Sequence, residues 1–323
     1  MNYEPLGRSG MKVSSLCLGC MNFGGPTDED ESIRIIHSAL DHGINFIDTA
    51  NVYNAGVSEE IVGKAIKDRR NSVVLATKVH GRMGEGPNDS GNHRYHIMQQ
   101  VEKSLERLQT DHIDLYQLHR PDPTTPMEEQ LATLDDLIRQ GKVRHVGTST
   151  FPAWQLCESL WISDKRNRNR FVCEQPPYSI FCRYIERNVL PFCDRHDFGV
   201  IPWSPLAGGW LAEKYRKGEE PPQGSRADRQ DWDMSEPINQ KRLEAVEKLI
   251  PLAGDYNASL SQFALAWLLE NPVITAPIIG PRTTDHLADN LDALDVELDG
   301  QAMDRVDEIV PPASDLMGIS SPA

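Results

Sequence analysis

The chain is 323 residues long with 39% hydrophobic and 25% charged residues, which fits a globular protein with a substantial core and leaves open two ordinary domains or one α/β barrel. Asp and Glu number 48 against 33 Lys and Arg, a formal net charge of -15, and so acidic a surface repels phosphate backbones and anionic lipid, which argues against nucleic acid and membrane as partners. Met1 to Arg8 lack the apolar core of a signal peptide and no later run is long and apolar enough to span a bilayer, so the expected location is cytoplasmic, with Cys17, Cys20, Cys157, Cys173, Cys182 and Cys193 as free thiols.

Residues 1 to 12, with Gly7 and Gly10 as turn residues, predict a short hairpin, and Val13 to Gly19 a first strand. Gly24 to Asp28 break the chain before a helix over 29–42, whose Ile33, Ile36 and Leu40 share one face. Asn45 to Ile47 then reads as a buried strand ending on Asp48, followed by a loop that carries Tyr53. A second helix starts at Ser58. Val73 to Thr77 is a continuous apolar strand that delivers Lys78, and after a Gly, Pro and Asp-rich loop (81–92) and a helix through Leu108, the strand Ile113 to Leu118 delivers His119. The alternation continues with a helix over 127–140, the strand Val143 to Gly147, a helix from Ala153, the strand Phe171 to Glu174, a helix ending near Arg195 and the strand 199–202. A charged, Pro-containing loop to about Pro237, helices near 240–253 and 260–270 and the strand Thr275 to Ile279 complete the pattern, with a helix near 300–310 and a tail appended. Eight strand-helix units with near-continuous apolar strands predict one closed parallel (β/α)8 TIM barrel over 1–323, with an N-terminal β-hairpin and a C-terminal helix and tail. An open doubly wound sheet would want a G-x-G-x-x-G after its first strand, which Gly19 to Gly25 do not supply.

In such a barrel every strand ends on one face, so residues distant in the chain converge there. Asp48, Lys78 and His119 end three successive strands, with Tyr53 just above the first. Each alone could be a turn cap, a strand-end lysine, a core histidine or a core phenol. Together they are the residue types of proton transfer on the catalytic face. Cys17-x-x-Cys20 has no second pair to complete a zinc site, and no metal is expected. Lys165 to Arg170 resembles a nucleic-acid patch, but it precedes a strand and reads as a solvated turn on the opposite face.

With Gly43-Ile44-Asn45-Phe46-Ile47-Asp48-Thr49-Ala50, Tyr53, Lys78 and Asp114-Leu115-Tyr116-Gln117-Leu118-His119 on view, the chain resembles the aldo-keto reductases over nearly its whole length. That resemblance implies a catalytic group of Asp48, Tyr53, Lys78 and His119, with Tyr53 the proton donor, and hydride transfer between a nicotinamide cofactor and an aldehyde or ketone. It implies carboxamide contacts from Ser149, Thr150 and Gln175, a stacking ring from Trp203, and a pyrophosphate loop of Ser204, Pro205, Leu206 and Gly208. Lys214 and Arg226 would clamp phosphate, and Gly280, Arg282, His286, Asp289 and Asn290 would hold the adenosine end. Cys20 and Met21 join the cofactor-binding set from the first loop, and Met21 and Phe23 are expected to add apolar surface. Arg282 favours NADPH. His286 and Glu213 depart from the usual pattern, so NADH stays open. An ammonium at Lys78 is expected to lower the Tyr53 pKa below about 10.

Residues 81–92, 211–237 and the tail after Pro311 are expected to wall the substrate pocket. A cofactor-binding regulatory subunit like the channel-associated β subunits is the alternative. Their motifs are matched by Trp203 to Ala207 and Gly224 to Ala227, but they replace the active-site histidine with asparagine, whereas His119 is intact. A metal-dependent barrel hydrolase would want His-x-His at the first strand, where Cys17 to Cys20 stand. A small carbonyl or alcohol substrate is expected, and the number of subunits, including a possible homo-oligomer, stays open.

Overall fold

The computed structural model describes residues 1–319. The chain opens with β1 (Tyr3–Pro5) and β2 (Lys12–Ser14), an antiparallel pair with Glu4 opposite Val13. The hairpin therefore runs on to Ser14, and Val13 belongs to it rather than to the first barrel strand. Tyr3 Oη donates to the Gly43 carbonyl at 2.9 Å, and the Asn45 side chain bonds Ser14 N–H at 2.7 Å, which fasten the hairpin under the barrel.

Barrel strands and helices then alternate: β3 (Cys17–Gly19), α1 (Glu29–Asp41), β4 (Phe46–Asp48), α2 (Val57–Ile66), β5 (Val74–Val79), α3 (Arg94–Leu108), β6 (Ile113–Leu118), α4 (Met127–Arg139) and β7 (Val143–Ser149). Next come α5 (Ala153–Arg166), β8 (Cys173–Gln175), α6 (Val189–His196) and β9 (Gly199–Val200). α7 (Arg226–Arg229), α8 (Pro237–Asp255) and α9 (Leu260–Leu269) precede β10 (Ile278–Ile279), and α10 (Thr284–Asp292) and α11 (Gly300–Ile309) follow it. All eight barrel strands pair in parallel, in the order β10-β3-β4-β5-β6-β7-β8-β9. Between β9 and β10 the ring closes through Val200 and Ile274, with Thr275 N–H donating to the Val200 carbonyl at 2.8 Å and Ile278 N–H to that of Pro202 at 2.8 Å. The expected (β/α)8 barrel is present. α7 and α10 are the helices the sequence reading lacked: one is a single turn, and the other buries only Leu287 and Asn290, too few positions for a visible period.

Helix starts follow local chemistry. Asp28 caps α1 by accepting from Glu31 N–H at 2.9 Å, and Glu29, Asp30 and Glu31 place negative charge on its first turn. Alternation along each strand sorts the side chains. Phe46, Ala76, Leu115 and Cys173 join Cys17, Ile201, Ala276 and the hairpin's Leu6 and Val13 in a cluster filling the barrel interior. Ile47, Leu75, Tyr116 and Leu118 face outward into the larger layer beneath the helices. Two residues beyond Phe46, Ala76, Leu115 and Cys173 stand Asp48, Lys78, Gln117 and Gln175, so the same parity turns four polar side chains inward above the apolar plug.

Candidate active site

Lys78 is fully buried inside β5, one residue short of the strand's end, where the sequence puts it just beyond the strand. Its Nζ lies 2.5 Å from Asp48 Oδ1, 2.8 Å from the Thr49 carbonyl and 3.1 Å from Tyr53 Oη. Asp48 Oδ2 accepts from Gln117 Nε2 and Gln175 Nε2, both at 3.0 Å, so with Lys78 three donors hold the buried carboxylate. Burial works against the charge on Lys78, but Asp48 and Tyr53 outweigh it and hold the ammonium above its usual pKa.

Tyr53 corrects an expectation. Burial raises its pKa more than Lys78 lowers it, and Asp48 adds to the rise, so the phenol sits above its ordinary value and is protonated at neutral pH. The His119 ring meets the Tyr53 ring edge-on at 5.6 Å, and burial together with the charges of Lys78 and Arg120 pushes the imidazole pKa down to about 2, so it is neutral.

These groups form the floor of a cavity of about 520 Å³. Asp48, Tyr53, His119 and Gln175 line it, with Cys20 and Met21 from the first loop and Trp203 on the wall. Lys78 does not line it and reaches it through Asp48 and Tyr53. Ser149 and Thr150 are also absent from the wall. Ser149 Oγ donates to the Gln175 carbonyl at 2.9 Å, and the guanidinium of Arg120 rests on both hydroxyls. Phe23 is fully buried in the outer core rather than adding to the pocket. Of the three expected substrate walls only 211–237 contributes, through residues such as Lys214 and Tyr215; neither 81–92 nor the described part of the tail lines the cavity. Ser320 to Ala323 lie outside the described residues.

Towards its other end the cavity is lined by Ser204, Pro205, Leu206 and Gly208, then by Lys214, Arg226, Gly280, Arg282, His286, Asp289 and Asn290. Gly208 has φ 69, and a Cβ there would come within 3.1 Å of Arg226 Nη1, so glycine lets that arginine approach. Arg229, which the sequence reading passed over, joins Lys214, Arg226 and Arg282, and none of the four has a carboxylate partner among the described residues. Burial, then the charges of Arg282 and Arg229, lower the pKa of Lys214. Asp289 is already engaged, accepting from Ser261 Oγ at 2.6 Å and Gln262 Nε2 at 3.0 Å. Glu213 is explained by its backbone and its carboxylate: it has φ 56, which favours the glycine expected there, and Oε1 accepts from Leu260 N–H at 2.8 Å at the start of α9.

The other sequence candidates resolve on burial. Cys17 and Cys20 are buried, and burial, then Asp48, raises both thiols well above their usual pKa. No group of three or more His, Cys, Asp or Glu among the described residues is arranged to hold a metal. Lys165 to Arg170 cover the end of α5 and the turn before β8, away from the cavity, with Arg166 paired to Glu128 at 2.9 Å and Arg170 to Asp164. Among the described residues no helix is long and apolar enough to cross a membrane.

The Aldo/keto reductase family profile matches residues 15–311. The chain belongs to this family. The chain is 43% identical to the "Uncharacterized oxidoreductase YrpG" of Bacillus subtilis, over 96% of each chain. It is 36% identical to a "Probable voltage-gated potassium channel subunit beta" of Arabidopsis thaliana, covering 96% of this chain and 97% of that one. It is 33% identical to the "Versiconal hemiacetal acetate reductase" of Aspergillus parasiticus, covering 95% and 96%. Its relatives thus include proteins named as oxidoreductases and reductases as well as channel β subunits.

Proposed function

We propose that this aldo/keto reductase transfers a hydride between NADP(H) and an aldehyde, a ketone or the corresponding alcohol, with Tyr53 as proton donor. The observation that carries the reading is the Asp48–Lys78–Tyr53 chain at the floor of a cavity whose far end bears four cations without a carboxylate partner among the described residues, on a chain of net charge -15. Bound in the cavity, the cofactor supplies the hydride. Tyr53 Oη would give its proton to the carbonyl oxygen to complete the alcohol. The Lys78 ammonium, kept charged by Asp48, stabilises the phenolate left behind until a proton returns from water. His119, neutral and packed against the Tyr53 ring, orients the carbonyl oxygen without adding a charge.

The residues fit a phosphate-rich dinucleotide. Trp203 offers a ring face, and its buried Nε1–H has no partner among the described residues. Lys214, Arg226, Arg229 and Arg282 repel one another, and a polyanion relieves that repulsion. Gln175 lines the floor where the carboxamide would lie, with Ser149 behind the wall bonded to the Gln175 carbonyl. This cation count favours NADPH over NADH.

Tyr53→Phe should cut NADPH-dependent reduction of an aldehyde by about 100- to 10,000-fold while NADPH binding, followed by fluorescence, holds. Unimpaired single-turnover reduction by the variant would remove Tyr53 from the chemistry. A second reading, a cofactor-binding regulatory subunit of low turnover, is favoured by the 36% identity to the Arabidopsis channel-subunit relative. It requires that no member of an aldehyde and ketone panel be reduced at more than a trace rate.

A further inference from the structure

We propose that Arg120 determines specificity, selecting carbonyl substrates that also carry a carboxylate. The inference deepens the hydride-transfer reading and rests on it. Arg120 follows His119 at the end of β6, is exposed, and lines the same cavity as Tyr53 and His119. One nitrogen, Nη1, is spent on neutral oxygens: it donates to the His119 carbonyl at 2.8 Å, to Thr150 Oγ1 at 3.2 Å and to Ser149 Oγ at 3.4 Å. Nε and Nη2 have no acceptor among the described residues. The guanidinium carbon lies 5.6 Å from the centre of the Trp203 ring, which steadies the group from one face.

Among the described residues no ionised carboxylate pairs with it. Lys78 and Asp48 neutralise each other at 2.5 Å, and His119 is uncharged. Glu174 acts on Arg120 but is buried, bonded to Thr148 Oγ1 and Phe151 N–H, and burial raises its carboxyl pKa to about 8, so it is largely protonated at neutral pH. Lys214, Arg226, Arg229 and Arg282, which suit the cofactor's phosphates, are not among the charges acting on Arg120. Beside the reacting oxygen there thus stands a separate, uncompensated cation with two free N–H directions on a fixed fork. That is the geometry a carboxylate fills with two charge-assisted hydrogen bonds, whereas a phosphate dianion calls for more than one cation.

The test uses the full chain with NADPH and compares 3- and 4-carboxybenzaldehyde with their methyl esters. The wild type should favour the acids by about 10- to 100-fold in kcat/KM, the range of a charge-assisted pair. Arg120→Leu should collapse the acid-to-ester ratio to near one, chiefly through KM for the acid, and Arg120→Lys should keep a preference of several-fold. A wild type with no preference for the acids, or an Arg120→Leu variant that loses acid and ester equally, would overturn the proposal; equal loss would mean that Arg120 merely props Ser149 and Thr150. If neither aldehyde class is reduced, the hydride-transfer reading falls by itself, and calorimetric titration of benzoate into protein with NADPH decides the Arg120 site separately. Binding that weakens about tenfold or more in Arg120→Leu sustains it, and equal binding ends it.

Discussion

Glu174 is a carboxyl group sealed inside the barrel wall, with its pKa raised to about 8 by burial although Thr148 Oγ1 and the Phe151 N–H donate to it. In the unfolded chain it titrates near 4.5, so between about pH 4.5 and 8 the unfolded state loses a proton that the folded state keeps, and this residue's contribution to stability is lost as pH rises through that window. His119 slopes the other way. Its folded pKa of about 2 against an ordinary 6.5 means that its contribution is present above 6.5 and is lost as pH falls towards 2. Glu174→Gln keeps the shape and removes the titration, so the variant should gain stability relative to wild type as pH goes from 5 to 9, read from urea midpoints at both ends; a constant difference would refute the buried carboxyl account. At this scale the sequence is partly transparent. Asp48, Lys78 and His119 stand at strand ends, and strand parity is enough to bring them to one face. Arg120 and Arg229 leave no such trace, because a loop arginine has the same local pattern whether it faces a cavity or the bulk solvent. The direction of the Tyr53 shift was out of reach because it depends on how deeply the ring is buried.

Among the elements, α2 and α3 show how packing supports the floor of the site. Glu59 of α2 accepts from Thr77 Oγ1 at 2.6 Å, on the strand that carries Lys78, and pairs with Arg107 of α3 at 2.7 Å. The two helices can approach because α2 has Gly63, where a Cβ would lie 2.6 Å from the Arg107 carbonyl oxygen and 2.7 Å from that of Leu108. Gly63→Ala should therefore destabilise the fold by about 1 to 3 kcal/mol by urea denaturation, although alanine is the better helix former. A stabilised variant would show that the helices have room to separate. Elements of three or more turns were readable from their period, and boundaries such as the start of α5 at Ala153 agree with it. The hairpin ran past its reading because Val13 and Ser14 have the same β-forming character whichever strand they pair with, and only the partner across the turn decides.

For the whole molecule the notable quantity is the separation of charge: -15 overall, yet Lys214, Arg226, Arg229 and Arg282 gather around one end of a cavity with no carboxylate partner among the described residues. Electrostatics of this kind are screened by salt, so raising ionic strength from about 0.05 to 0.5 M should weaken NADPH binding more than NADH binding, and the ratio of their Michaelis constants should narrow. Equal salt slopes, or a preference for NADH, would deny the arginines a phosphate. The barrel itself was the most legible feature, since eight alternating units with doubly buried strands admit few other arrangements, whereas the two-residue strands β9 and β10 were blurred because closure there uses isolated bonds around Val200 and Ile274. Closure also has a consequence in time. β3 finds its second neighbour only when Ile278 arrives opposite Cys17, and at about 5 to 20 residues per second the ribosome leaves that edge bare for roughly 10 to 50 s. Throughout that interval the nascent chain carries β3 with one edge open, the exposed template on which wrong strand pairings form.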